Sequence, residues 1–167
     1  LDNCLKVYNG VEKKEILLLA QEEFVQKTGK FNEEEEDYEL RVNSFHDYLL
    51  FHFEHPKIKR KIIKDFLIKE NIDADIESAL LQVEFSLFEY LYKKNNTTCF
   101  VDLMTNETFE LSEESFSPTF MPKDTFIGRR IKIDRRYIFT RGFCLIPGEL
   151  KKKIMSEIKK RNLVNYE

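Results

Sequence analysis

Residues 11–25 place Ile16, Leu17, Leu19, Ala20 and Phe24 among Glu, Lys and Gln. Apolar positions three to four apart predict an amphipathic helix, closed near Thr28-Gly29, where glycine takes the backbone angles that end a helix. Asn43-Ser44 reads as the N-cap of a second, aromatic-rich helix over 45–53. That helix must stop before Pro56, because the residue ahead of a proline avoids helical backbone angles. Apolar residues at 58, 62, 63, 66 and 67 predict a third helix over 58–69. Asp73 then caps a fourth through Ile76, Ala79 and Leu80. The acidic run 33–37 reads as a solvated loop or a first helical turn, where acids suit the helix dipole.

The period changes near Gln82. Val83, Phe85 and Leu87 alternate with Glu84 and Ser86, and Phe88, Tyr90 and Tyr92 continue in the opposite phase. Period two is the strand pattern, and the phase flip predicts a bulge. Asn95 to Thr98 make a turn, and two strands over 99–103 and 108–111 flank Thr105-Asn106. Two long strands over 125–133 and 137–146 meet at Asp134-Arg135-Arg136, and Pro147 suits the first turn of a closing helix over 149–161. Helices followed by strands, rather than alternating with them, predict an α+β fold. The expected architecture is N-terminal helices, a small five-stranded antiparallel SH3-like or OB-like barrel, and a C-terminal helix. The corresponding regions are 1–81, 82–147 and 148–167, forming one compact unit.

Composition agrees with a folded chain. Of 167 residues 42% are hydrophobic, with 15 Phe and no Trp, which is enough to build a core. No run approaches the roughly 18 uncharged apolar residues of a membrane span. The first residue is Leu rather than Met, which suggests a trimmed chain. Cys4, Cys99 and Cys144 are odd in number and none share C-x-x-C spacing. That argues against a disulfide framework and for a reducing, cytoplasmic setting. Charge is unevenly spread: residues 118–167 carry 13 basic and 5 acidic groups, whereas the whole chain has a net charge of -3.

The order of motifs resembles that of a poorly characterised bacterial family. The matching residues are Phe45-x-x-Tyr-Leu-Leu-Phe51, Ser86-Leu-Phe-Glu-Tyr-Leu91, Val101 through Leu111, the Pro122-Lys-Asp124 turn and the closing Ile146-Pro147. Members combine a helical part with a small β part, sometimes followed by a cysteine-rich SEC-C zinc tail. The resemblance spans about residues 40 to 160, and this sequence lacks the cysteine-rich tail. It implies a helical-plus-barrel fold and carries over no site residues.

Three groups of residues bear on function. Arg129, Arg130, Lys132, Arg135, Arg136 and Arg141 crowd one predicted hairpin together with Tyr137. Cations for phosphate and flat rings for bases suit single-stranded nucleic acid. The bland alternative is that these arginines pair with the acidic helical half. Phe116, Phe120 and Met121 lie in a proline-punctuated loop and either cover the core or offer an apolar docking patch. His52 and His55 would be neighbours on one helical face, able to share a metal, but H-E-x-x-H is absent and no metal is expected. Asp102, Glu107 and Glu110 could supply carboxylates, but without the lysine spacing of a nuclease core. No phosphate-binding glycine loop and no nucleophile elbow occur. The reading is therefore a cofactor-free, non-catalytic binding or regulatory module that engages a protein or nucleic acid through the basic hairpin. The rivals are a metal-dependent hydrolase using His and carboxylate groups, and a structural or oligomerisation domain of a larger protein.

Overall fold

The computed structural model describes residues 1–8, 13–57, 59–70, 72–112 and 120–164. The fold is α+β, as the pattern predicts: helices, then a small barrel-like antiparallel sheet, then a C-terminal helix. The chain divides into two compact units, residues 1–84 with 129–143, and residues 85–128 with 144–167.

The first unit holds helices α1 (Asp2–Tyr8), α2 (Lys14–Thr28), α3 (Tyr38–Phe51), α4 (Ile62–Lys69) and α5 (Ala74–Leu81). α2 ends where predicted, with Gly29 at φ 84 and its N–H on the Val25 carbonyl. Ala20 and Phe24, one turn apart, are its buried pair. α3 begins at Tyr38, well ahead of the expected cap at Asn43-Ser44, which falls inside the helix. A tertiary contact explains the early start. Arg41 donates to the last carbonyls of α2, 3.1 Å to Thr28 O and 3.0 Å to Gly29 O, and its guanidinium lies over the Phe31 ring. The first turn of α3 thus satisfies orphan acceptors at the end of α2. The acidic run 33–37 is the exposed connection before α3. α5 starts as predicted, with Asp73 Oδ1 accepting from the Asp75 and Ile76 amides. Leu49 and Leu50 of α3 and Ile62 and Ile63 of α4 are almost fully buried with Phe24 and Phe45, so one apolar cluster binds these helices.

The strands are β1 (Glu84–Lys94), β2 (Thr97–Asp102), β3 (Glu107–Ser112), β4 (Thr125–Ile133), β5 (Arg136–Phe139) and β6 (Cys144–Ile146), ordered β3-β2-β1-β4-β5 with β6 also on β4. The register shift of β1 against β2 falls between Tyr90 and Tyr92, beyond the phase flip at Leu87-Phe88 where the pattern places a bulge; pairing with β2 is regular from Phe88 to Tyr90. In the second unit, Phe88, Phe100, Phe109 and Phe126 pack at centroid separations of 5.6–5.9 Å. Asp102 is buried at the end of β2. Its Oδ1 accepts from Ser86 Oγ at 2.6 Å and from the Met104 and Thr105 amides, fixing the turn into β3. It is a turn anchor and not part of a carboxylate cluster, since Glu107 and Glu110 are exposed on β3. α6 (Gly148–Val164) follows Pro147, and Lys151 pairs with Glu89 of the same unit.

The predicted fifth strand over 137–146 is in fact two. β5 pairs with the end of β4, and β6 returns to pair with its beginning. Between them the chain is held to α3. Thr140 Oγ1 and the Gly142 N–H both donate to Asp47 Oδ2. A Cβ at Gly142 would lie 2.6 Å from that carboxylate oxygen and 2.7 Å from the Asn43 carbonyl, so only glycine fits the approach.

Candidate functional site

β4 and β5 form a tight hairpin with Lys132 opposite Tyr137 and Ile133 opposite Arg136. Asp134 takes the left-handed conformation (φ 55) at the turn, which Asp tolerates because its short side chain bonds locally. Residues along β4 alternate in direction, so Arg129 and Arg130 lie on opposite faces of the strand.

Each of these two arginines is little exposed and meets a carboxylate on its own face. Arg129 places Nη1 3.9 Å from Asp47 Oδ2 with little exposure of either side chain. Arg130 is 2% exposed, its Nε donates to Glu84, and its guanidinium lies 4.7 Å from the Tyr137 ring centre. These two positions therefore do not belong to an open cationic surface. A guanidinium with so little exposure needs a carboxylate of the same molecule. Lys132, Arg135, Arg136 and Arg141 stay exposed. Arg141 Nη2 lies 3.5 Å from Asp2 Oδ2, a solvated pair worth little. Among the described residues no carboxylate pairs with Lys132, Arg135 or Arg136. Tyr137 is half-buried, and Lys132 Nζ lies 5.4 Å from its ring centre. With two cations against it, that ring is not an open platform for a base.

Asp47 is the electrostatic centre behind the hairpin. Burial pushes its carboxyl up to about 6, while Thr140, Arg129 and the Gly142 amide pull it down. Burial also lowers Arg129, which Asp47 partly offsets. The sequence reading passes over Asp47, although a lone acid inside the aromatic run 45–53 is a usable signal.

The expected histidine pair does not form. α3 ends at Phe51, so His52 is its C-cap and His55 lies in the following loop. His52 packs on Tyr48 at 5.1 Å, and His55 Nδ1 accepts from the Lys57 amide. Among the described residues no three His, Cys, Asp or Glu side chains converge as metal ligands would. Of the proline-punctuated loop, Phe116 lies outside the described residues. Phe120 is half-buried and stacks on Phe126 at 5.0 Å and on Tyr90 at 5.9 Å. Met121 is 68% exposed.

Sequence reasoning misses one further group. The stretch 55–64 contains Lys57, Lys59, Arg60, Lys61 and Lys64 and no acid. Its signal is legible but is divided between a loop after Pro56 and a helix expected to begin at Ile58. α4 begins four residues later, at Ile62. Residues before it form a loop closed by a bridge between Glu54 and Lys61, with His55 N–H on the Arg60 carbonyl and Lys59 N–H on the His55 carbonyl.

Among the described residues no helix is long and apolar enough to cross a membrane. Comparison with protein-family models, curated proteins and solved structures returns no match to this chain.

Proposed function

We propose that this chain is a non-catalytic binding module that engages an acidic surface of a partner protein through the tip of the β4–β5 hairpin. The observation that carries the reading is the exposure of Arg135 and Arg136, with no carboxylate on either among the described residues, at the end of a short, tightly paired strand pair. Arginine holds carboxylates with two parallel hydrogen bonds, and a rigid turn lowers the entropy of presenting it. β5 is also the last strand in the sheet order, so an extended partner segment could add to its outer edge. Protein is favoured over single-stranded nucleic acid because Tyr137 is already covered by Arg130 and Lys132.

The test is a fluorescence titration at low salt with a labelled twelve-residue poly-glutamate peptide and a labelled single-stranded oligonucleotide. Wild type should bind the peptide, and the double variant R135E/R136E should bind it at least tenfold more weakly with an unchanged circular dichroism spectrum. Equal peptide affinity of the two proteins would remove the hairpin from the site.

A further inference from the structure

We propose that the cations ahead of α4, together with Lys64 in its first turn, form a second, independent binding surface, one that takes the phosphodiester backbone of double-helical nucleic acid without reading sequence. The proposal does not rest on the hairpin. It rests on the juxtaposition of five exposed cations: Lys57, Lys59, Arg60 and Lys61 on the loop closed by the Glu54–Lys61 bridge, and Lys64 in the first turn of α4.

None of the five side chains meets a carboxylate among the described residues. Nearby acids do not serve them. Asp65 takes Lys69 at 2.7 Å, and Glu54 is joined to Lys61 only through the main-chain bridge. The field of the cluster reaches beyond the loop. The imidazole of His52 is held below its usual range by burial and then by the cations Lys27, Arg129 and Lys61. His55 adds a donor: its Nδ1 accepts from the Lys57 amide, so the neutral ring carries its proton on Nε2.

The arrangement works against the stability of the fold. Lys59, Arg60, Lys61 and Lys64 crowd the beginning of α4, where the helix dipole favours negative charge, and they repel one another. Lys61 occupies the cap position and supplies no side-chain acceptor to the first turn. Lys59 is held at φ 51, a conformation seldom adopted by a residue with a long side chain. Local rules are broken together mainly where function demands it. An unneutralised set of cations is relieved by a dense line of negative charge, and a nucleic-acid duplex is the densest such line available. Four of the five are lysines, which act as point charges on phosphate. The loop carries no Phe, Tyr or Trp, so neither base stacking nor burial in a lipid surface is provided for.

The experiment uses the whole chain and a fluorescein-labelled 20-base-pair DNA duplex of arbitrary sequence. Log affinity against log salt should fall with a slope of about −4.5, the value for roughly five phosphates neutralised. The variant R60S/K61S should bind at least tenfold more weakly, lose about two units of that slope, and melt at a temperature no lower than wild type. The hairpin variant R135E/R136E should bind the duplex within twofold of wild type, which separates this proposal from the preceding one. As a measurement that needs no variant, acetylation of Lys57, Lys59, Lys61 and Lys64 in wild type should slow when the duplex is present. No duplex binding at low salt, equal binding by R60S/K61S, or unchanged acetylation would each overturn the proposal. Loop-dependent binding to phosphatidylserine vesicles or poly-glutamate that is tighter than to duplex would also overturn it.

Discussion

Replacing Asp47 by asparagine should abolish a specific pH dependence of stability. Burial raises the carboxyl from 3.8 to about 6 in the folded chain. A raised folded-state value means that the fold prefers the protonated form. The contribution is therefore fully present below the unfolded value and is lost as pH rises through about 6. At 1.36 kcal/mol per unit, the shift corresponds to about 3 kcal/mol. The side chain of the Asp47→Asn variant stays neutral, and its carbonyl oxygen can still accept from Thr140 and the Gly142 amide. Asp47 also lines an open pocket of about 260 Å3 with His46, Leu50 and Thr140. Urea unfolding followed by helical circular dichroism at intervals from pH 4 to 7.5 measures the effect. The Asp47→Asn protein should gain on wild type by about 3 kcal/mol across that range, a midpoint shift on the order of 1–2 M urea. A difference that stays flat within about 0.5 kcal/mol would refute a buried, upward-shifted Asp47.

Gly142→Ala should lower stability by about 1–3 kcal/mol in the same assay, since its Cβ meets a carboxylate and a backbone carbonyl rather than a flexible side-chain end. Asp102→Ala should cost about 1–3 kcal/mol and weaken amide-exchange protection at Met104 and Thr105, whose N–H groups lose their acceptor. In native protein a thiol reagent should label exposed Cys144 first, and labelling of Cys4 should wait for unfolding. Cys4 is 1% exposed and burial pushes its thiol up to about 12, so little reactive thiolate forms.

Local pattern determined much of this protein. Glycine at 29 and aspartate at 73 act at helix ends through their own backbone preference and hydrogen bonding, and both ends fall where the residues alone place them. The change from period 3.6 to period two near Gln82 separates helices from strands because burial on one side imposes it.

What tertiary structure decided was direction and partnership. Arg41 starts α3 early because it reaches carbonyls that lie 13 and 12 residues back in the chain. Asp47 divides a long apolar strand in two by holding Thr140 and Gly142, more than 90 residues away. Arg129 and Arg130 read in sequence like Arg135 and Arg136, yet the first pair is buried against Asp47 and Glu84 and the second stands in water. Charge in sequence counts cations but does not say which of them find an acid. A carboxylate many residues distant makes that choice, because a buried guanidinium is tolerable only when it is paired, whereas one at a turn needs nothing but solvent.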